Sequence, residues 1–218
     1  MQLKTIQVKG KPFTYEDEIE DISYENITPI SEEDVRLLLA RTKEIFTLIK
    51  LPFYLAFGTL LGAVRDNGVI PGDEDVDIFI DDEQKLYNNL PFLYEKGYRV
   101  CRITNGALYS FRVNHTSYID VYILRPFKWY TIWRFNYLSL NGLAVPRKFF
   151  KEYDCIDFLS ETYQSPKEPE KILKFWYGEN WRTPIRGHKF MYTTFLYYYW
   201  IRIVFHLREI VKIGKHKR

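Results

Sequence analysis

The chain has 218 residues, with 31 Lys and Arg against 28 Asp and Glu and a net charge of +3. Hydrophobic residues make up 46% and charged residues 27%, values close to globular averages, which excludes disordered, collagen-like and fibrous classes. Two cysteines, Cys101 and Cys155, exclude a disulfide framework and match no metal or redox motif. We therefore expect a globular, cytoplasmic protein with reduced thiols.

The charge is unevenly distributed along the chain. Residues 186–218 carry eight Lys and Arg and one acid, so the remainder is mildly acidic. Nucleic-acid binders usually line the binding groove itself with basic residues, so we expect no nucleic-acid partner. The basic tail instead favours contact with an anionic surface. Residues 1–30 are polar, with no apolar signal segment, and are interpreted as a partly ordered lead-in.

The apolar pattern predicts a mixed α/β chain. Ser31 and Asp34 form a potential helix cap, and the helix that follows ends before Pro52. A short strand, FYLAF, leads to a turn at Gly58-Thr59 and a short helix ending near Gly68. Further predicted elements are a strand in DEDVDIFID, a helix over 83–96, strands in YRVCRI, ALYSFRV and SYIDVYIL, a turn and strand in LNGLAVPRKFF, and helices around 152–163 and 168–176.

Three carboxylates on predicted strands indicate chemistry. Asp75 and Asp77 are two residues apart, so their side chains leave the same face of a strand. Asp120 lies in the apolar strand YIDVY. Carboxylates on adjacent strands would repel one another unless a cation neutralised them, and oxygen ligands of this kind suit Mg²⁺ or Mn²⁺.

Residues upstream of the carboxylates indicate anion binding. Gly58 lets the backbone approach a phosphate closely, Thr59 offers a hydroxyl, and a helix N-terminus offers N–H groups. Arg65 lies one to two turns further and could reach the same anion with a bidentate fork. Arg112, on a predicted strand, either reaches the phosphates of the same anion or faces solvent.

The order Gly-Thr, Asp-Val-Asp and a later strand Asp is the pattern of the nucleotidyltransferase fold. The string FGTLLGAVRDNGVIPGDEDVDIFI resembles the signature of the LicD family of phosphotransferases, which includes fukutin-related proteins. YGENWRTP, at residues 177–184, is similar to a late element of that family, so the resemblance covers about 31–185. Two departures are Gly72, where the family has Trp, and Glu74, where it has Asp.

The resemblance implies a transferase that moves a phospho-alcohol group, such as phosphocholine, from a CDP-activated donor to a sugar hydroxyl of a cell-surface glycan. Asp75 and Asp77 would hold the metal, and Asp120 would be either a third metal ligand or the base that deprotonates the acceptor. Gly58, Thr59, Arg65 and Arg112 would bind the donor. The alternatives are an enzyme that transfers a nucleoside monophosphate to a sugar phosphate or protein, and a catalytically silent membrane-associated scaffold.

Three segments follow: a lead-in over 1–30, a catalytic domain over 31–185 and a helical tail over 186–218. The aromatic stretch at 190–207 is interrupted by Arg202 and is too short to span a bilayer, so we expect a helix that lies on an anionic membrane or packs on the domain. A second aromatic segment, 125–138, either lines an acceptor groove or packs in the core. The protein is therefore expected at the inner face of the membrane or free in the cytoplasm.

Overall fold

A computed structural model of the chain describes residues 2–17, 28–104, 107–113, 117–127, 136–141 and 143–184. The strands are β1 (Gln2–Val8), β2 (Lys11–Asp17), β3 (Tyr54–Leu55), β4 (Val76–Ile80), β5 (Arg99–Thr104), β6 (Leu108–Arg112), β7 (Tyr118–Pro126), β8 (Tyr137–Leu140), β9 (Leu143–Pro146), β10 (Tyr153–Phe158) and β11 (Glu161–Pro166). The α-helices are α1 (Glu32–Leu48), α2 (Phe57–Leu61), α3 (Glu83–Asn88), α4 (Leu90–Glu95) and α5 (Pro169–Tyr177). A π-helical turn, Gly62–Asp66, continues α2, and a 3₁₀ turn, Arg147–Phe150, follows β9.

A mixed β-sheet organises the first of two units, Met1–Pro169, and the second unit comprises Glu170–Arg218. Over the described residues this sheet has nine strands, seven of them in the order β10-β11-β3-β4-β7-β6-β5, with β8 and β9 branching from β7. The pairs β11–β3 and β4–β7 are parallel, and the other pairs are antiparallel. The predicted α/β class with a mixed sheet is confirmed.

The centre of this sheet is strongly apolar. All five residues of β4 are buried, as expected for a strand that is covered on both faces. The aromatic ring of Phe79 packs between Tyr54, at a centroid distance of 4.9 Å, and Phe150, at 5.4 Å. Asp77 is therefore an acidic residue in a buried strand whose other residues are Val, Ile and Phe. This apolar environment disfavours the charged form of its carboxyl group.

Helix α1 begins as the sequence predicts. The Ser31 hydroxyl oxygen accepts the backbone N–H of Asp34 at 3.0 Å, which satisfies one of the free N–H groups of the first turn. The same hydroxyl donates to the Asp34 carboxylate at 2.7 Å, so the two residues cap the helix reciprocally. The single helix predicted over 83–96 is instead two short helices that meet at Asn89, because Pro91 lies at the start of α4 and has no N–H to continue the ladder.

Two stretches differ from the sequence prediction. Residues 1–30 had no predicted element, but β1 and β2 form an antiparallel hairpin whose turn carries Lys9 and Gly10 at positive φ. A helix was predicted around 152–163, and this was wrong: β10 and β11 form a second hairpin there. Its turn residues, Leu159 and Ser160, both have positive φ, as a two-residue type I′ turn requires.

The predicted strands at 98–103, 107–113 and 117–124 and the helix at 168–176 are confirmed as β5, β6, β7 and α5. In the second unit, α5 buries Ile172, Leu173 and Trp176. The predicted tail helix over 186–218 and most of the aromatic segment 125–138 lie outside the described residues, and the three-segment division stays a prediction. Among the helices of the described ranges, none has the length and hydropathy needed to cross a bilayer.

Candidate active site

The structure brings together the three carboxylates that the sequence singled out. Asp77 and Asp120 are register partners on the parallel strands β4 and β7, and Asp75 immediately precedes β4. One ligand oxygen from each of the three lies within 4.8 Å of the others. Asp77 is 7% exposed and Asp120 is 3% exposed, whereas Asp75 is half-buried and therefore the most accessible of the three.

Burial raises the pKa of each carboxyl in this cluster, and repulsion from neighbouring acids adds to the rise at Asp75 and Asp77. Burial, then the negative charges of Asp120 and Asp73, raise the pKa of Asp75 to about 8. Burial, then Asp75 and Asp120, raise the pKa of Asp77 well above its usual value. A divalent cation bound among these oxygens would relieve the repulsion, and an all-oxygen donor set fits Mg²⁺ or Mn²⁺.

The corner between β3 and α2 holds Asp77 in place. The backbone N–H of Gly58 donates to Oδ2 of Asp77 at 2.9 Å, and the backbone N–H of Asp77 donates to the Thr59 hydroxyl oxygen at 2.8 Å. The Asp77 carbonyl accepts the N–H of Ala56 at 3.1 Å. Gly58 and Thr59 lie within the first turn of α2 rather than in the turn before it that the sequence predicts. The Thr59 side chain is buried, and its hydrogen bond with the Asp77 backbone helps to hold Asp77 in place.

Gly58 is required at this corner because neighbouring carboxylates occupy the space a side chain would need. A Cβ at residue 58 would lie 2.8 Å from Oδ2 of Asp73 and 3.2 Å from Oδ2 of Asp77. The preceding residue, Phe57, has a φ of +34°, which is unusual for a bulky side chain, and its ring packs edge-on against Tyr122 at 4.8 Å. The corner is thus strained and closely packed around the carboxylates.

Asp73 is a fourth carboxylate at this site that the sequence prediction left out. Its side chain lies over Gly58, its carbonyl accepts the N–H of Ile30 at 2.8 Å, and its charge raises the pKa of both Asp75 and Asp77. The signal was present in the sequence, because Asp73 lies two residues before Asp75. A small recess opens beside these acids and is lined by Val35, Gly58, Thr59, Gly62, Gly68, Val69, Ile70, Asp73, Asp75 and Phe158.

Three hydrogen-bond donors surround Asp120, and none of them was predicted. Nη2 of Arg102 donates to Oδ2 of Asp120 at 2.9 Å, and the Tyr122 hydroxyl donates to the same oxygen at 3.4 Å. The Ser110 hydroxyl donates to Oδ1 at 2.5 Å. Burial raises the pKa of Asp120, and these three donors, Arg102 foremost, act in the opposite direction.

A β-bulge brings Arg102 to this face of the sheet. Strand β5 pairs Val100 with Phe111 and then Arg102 with Ser110, so Cys101 is an extra residue without a register partner. Because strand side chains alternate between faces, a regular pairing would have placed Arg102 opposite Tyr109, on the other face. The alternation of side chains along β5 alone therefore does not predict that Arg102 faces Asp120.

Among the described contacts, neither of the two arginines that the sequence predicts as donor-binding forms a hydrogen bond with the carboxylate cluster. Arg65 forms a bidentate ion pair with its neighbour Asp66, with N···O distances of 2.9 and 2.7 Å. Arg112 lies at the end of β6, opposite Tyr118 and two residues from Ser110. Over the described residues, the guanidinium that contacts the carboxylate cluster is that of Arg102, whereas donor binding by Arg65 and Arg112 stays a prediction.

Known proteins resemble parts of this chain. An uncharacterised protein of Rickettsia prowazekii (strain Madrid E) is 39% identical over 77 residues, and one of Rickettsia typhi (strain ATCC VR-144 / Wilmington) is 42% identical over 65 residues. These matches cover 31% and 29% of this chain but only 29% and 21% of the two relatives.

Among solved structures, the lincosamide antibiotic adenylyltransferase LnuA, with lincomycin bound, superposes with a TM-score of 0.46 at 11% identity, over 67% of this chain and 86% of that one. The antibiotic-resistance factor ANT(2'')-Ia superposes with a TM-score of 0.48 at 12% identity, over 85% of this chain and 98% of that one.

A family model provides the assignment. The model described as "LicD/FKTN/FKRP, nucleotidyltransferase domain" matches residues 50–176, which is more than half of the chain. The matched range contains the corner at Gly58, all three clustered carboxylates and the three donors around Asp120. The chain therefore belongs to the LicD family of nucleotidyltransferase domains.

Proposed function

We propose that the protein is a metal-dependent transferase that moves a phospho-alcohol group from a CDP-activated donor to a sugar hydroxyl of a cell-surface glycan or its lipid-linked precursor. Membership of the LicD family supports a transferase. The observation that carries the metal-dependent chemistry is the convergence of Asp75, Asp77 and Asp120 within 4.8 Å. Bound Mg²⁺ or Mn²⁺ would neutralise charge on the transferred phosphoryl group and the leaving CMP.

The residues around the cluster have separable roles in this proposal. Asp75, the most accessible acid, and Asp77 hold the cation. The N–H of Gly58 and the hydroxyl of Thr59 keep Asp77 oriented. Because these hydrogen bonds form within the protein itself, the oxygens of Asp77 would need little reorganisation to bind the cation.

For Asp120, hydrogen-bonding capacity favours metal binding over the role of base. Each carboxylate oxygen has two lone pairs. Oδ2 accepts from both Arg102 and Tyr122, and Oδ1 accepts from Ser110. One lone pair of Oδ1 remains for a cation, and the Arg102 guanidinium opposes the rise in the pKa of Asp120 that burial causes, which favours the ionised form that would bind a cation.

A second candidate shares the same site and is favoured by the description of the family as a nucleotidyltransferase domain. In that reaction the enzyme would transfer a nucleoside monophosphate to a sugar phosphate or a protein, and pyrophosphate would leave. The two reactions differ in which half of the donor stays with the acceptor. Release of CMP indicates phospho-alcohol transfer, whereas release of pyrophosphate from a nucleoside triphosphate indicates nucleotidyl transfer.

The test uses purified full-length chain with CDP-choline, CDP-ribitol, CDP-glycerol and CDP-ethanolamine, in Mg²⁺ or in EDTA. We expect at least one donor to raise the melting temperature of the protein in Mg²⁺ but not in EDTA. The same donor should yield CMP when a glycan acceptor is supplied. Asp75→Asn and Asp77→Asn should abolish turnover while remaining folded. Asp81→Asn, which changes an exposed acid just after β4, is the matched control and should turn over normally. Full activity in either site variant would refute the metal assignment.

The proposal includes contact between residues 190–218 and an anionic membrane, since this basic, aromatic segment would bring the enzyme to a lipid-linked acceptor. Flotation of the full chain with anionic liposomes tests it. A variant with the terminal basic residues changed to Gln should float less than wild type. Equal flotation of the two would exclude an electrostatic membrane contact. The residues to change are Arg208, Lys212, Lys215, Lys217 and Arg218.

A further inference from the structure

The hydrogen bonds that Arg102 donates to other residues of the sheet use only part of its guanidinium group. Nε donates to the Ser110 hydroxyl at 3.0 Å, and Nη2 donates to Asp120 at 2.9 Å. Over the described part of the chain, Nη1 forms no hydrogen bond or ion pair, and the Arg102 side chain is 39% exposed, whereas that of its partner Asp120 is 4% exposed. One edge of the guanidinium is thus fixed against the cluster, and the other edge is open.

The placement of this open edge is specific. The bulge at Cys101 is what turns Arg102 towards Ser110 and Asp120, and bulges commonly re-aim a side chain next to active sites. A guanidinium has five N–H donors in a planar fork that matches phosphate oxygens, and at least one nitrogen of Arg102 remains for such a contact. Because its other edge is held by two hydrogen bonds, little side-chain entropy is lost when a ligand binds.

We propose that Arg102 is a substrate-binding residue whose open edge contacts a phosphate oxygen of the donor. The inference rests on the proposed function, because that function places a phosphorylated donor at the cluster formed by Asp75, Asp77 and Asp120. The arginine would bridge Asp120 and the donor. The donor phosphates would then be bound both by the cation and by a side chain of β5.

Two binding measurements on the full chain test this role without depending on which donor is native. The first is the affinity for Mn²⁺ alone, followed by electron paramagnetic resonance. The second is the affinity for inorganic pyrophosphate in saturating Mg²⁺, followed by calorimetry. The variants are Arg102→Gln, Arg102→Lys and the control Arg99→Gln. Arg99 is an exposed arginine of the same strand that donates to the Tyr94 carbonyl and stacks on the Tyr94 ring.

We expect the two affinities of Arg102→Gln to move differently. Removing a positive charge beside the carboxylates should leave Mn²⁺ binding unchanged or tighter. Pyrophosphate binding should weaken roughly tenfold or more, the usual effect of losing a charge-assisted hydrogen bond. Arg102→Lys should recover part of the pyrophosphate affinity because it keeps the charge but not the planar fork. Arg99→Gln should match wild type in both assays.

Several outcomes would overturn the assignment. Wild-type protein that binds no pyrophosphate, or Arg102→Gln that binds it with wild-type affinity, contradicts a phosphate contact. A parallel loss of Mn²⁺ and pyrophosphate affinity would show that Arg102 only positions Asp120. If Arg102→Gln does not fold, as judged by circular dichroism, unchanged pyrophosphate affinity in Arg102→Lys contradicts the role of the fork.

The failure of the proposed function is distinguishable from the failure of this inference. If wild-type protein transfers nothing from the CDP panel but its pyrophosphate binding depends on Arg102, the proposed reaction is wrong and the phosphate contact stands. If wild-type protein transfers a phospho-alcohol and Arg102→Gln does so with an unchanged KM for the donor, the reaction stands and the phosphate contact is wrong.

Discussion

Gly58 and Asp77 are joined by a hydrogen bond of 2.9 Å, from the backbone N–H of the glycine to Oδ2 of the aspartate. They are nineteen positions apart in the sequence, and the contact links the first turn of α2 to the beginning of β4. The closeness that permits this hydrogen bond also leaves no room for a side chain at residue 58. Backbone geometry and carboxylate position are therefore coupled at this corner.

Gly58→Ala should both destabilise the protein and lower its turnover. The new Cβ would lie 2.8 Å from Oδ2 of Asp73, so either the carboxylate or the α2 backbone must shift. Overpacking of this kind typically costs about 1–3 kcal/mol in the free energy of unfolding. Urea denaturation and the transfer assay measure the two effects.

Gly68→Ala is the matched control for that substitution. A Cβ at residue 68 would meet the end of the flexible Glu32 side chain at 3.4 Å, which is a tolerable contact. We expect its stability to lie close to that of wild type. Equal losses of stability in the two variants would show that reduced backbone freedom, rather than the carboxylates, makes glycine necessary at residue 58.

Thr59→Val should destabilise the protein more than Thr59→Ser does. Valine has nearly the shape of threonine but cannot accept the backbone N–H of Asp77, which donates to the Thr59 oxygen at 2.8 Å. A buried N–H without a partner costs about 1–3 kcal/mol. Urea denaturation should rank the stabilities wild type, Ser and then Val. Equal stabilities of the Val and Ser variants would contradict a role for this hydrogen bond.

The metal-free protein should lose stability as the pH rises through neutrality. The pKa of Asp75 is about 8 in the folded protein against 3.8 for an unperturbed aspartate, and the pKa values of Asp77 and Asp120 are shifted in the same direction. Between these values the folded state binds more protons than the unfolded chain, so the free energy of unfolding falls from about pH 4 to about pH 8. Urea midpoints in EDTA across this range measure the slope.

Two controls identify the source of that slope. Asp75→Asn should flatten it, because the amide does not titrate. Added Mg²⁺ should restore stability most strongly near pH 8, where the carboxylates are ionised and bind the cation only in the folded state. A slope that is the same in Asp75→Asn and in wild type would show that Asp75 does not contribute to it.

Tyr98→Phe should affect stability alone. Tyr98 is 1% exposed, and because the Thr42 hydroxyl donates to the Leu38 carbonyl at 2.7 Å, the Tyr98 hydroxyl is the donor in its 2.9 Å hydrogen bond to Thr42. Losing that bond should cost about 1 kcal/mol, since Thr42 keeps its other partner. Turnover equal to that of wild type would show that a loss of stability of this size does not by itself damage the carboxylate site. A large loss of turnover would contradict the prediction that Tyr98→Phe affects stability alone.

The sequence was sufficient wherever the signal was local. The Ser31–Asp34 cap involves two residues of one helical turn, and it predicted the start of α1 correctly. The alternation in YIDVY predicted β7, and the spacing of Asp75 and Asp77 predicted that both would belong to one cluster. The motif around Gly58 led to the family that the comparison later established.

Sequence reasoning was wrong or silent where long-range pairing decided the structure. The stretch predicted as a helix around 152–163 is a hairpin because β11 pairs with β3, more than a hundred residues earlier in the chain. Similarly, the position of Arg102 beside Asp120 was not predicted, because it depends on a bulge, and a bulge is a property of two paired strands and not of one.

The sequence alone thus identified the residues of the candidate site, three aspartates in a defined order and a glycine-threonine corner, because these follow from neighbouring residues and their spacing. Only the tertiary structure decided how these residues are held. It showed that Thr59 orients Asp77, that Asp73 joins the cluster, and that Arg102, Ser110 and Tyr122 hold Asp120. The physical reason is that hydrogen bonding and burial within a mixed sheet depend on strand order and register, which local spacing does not encode.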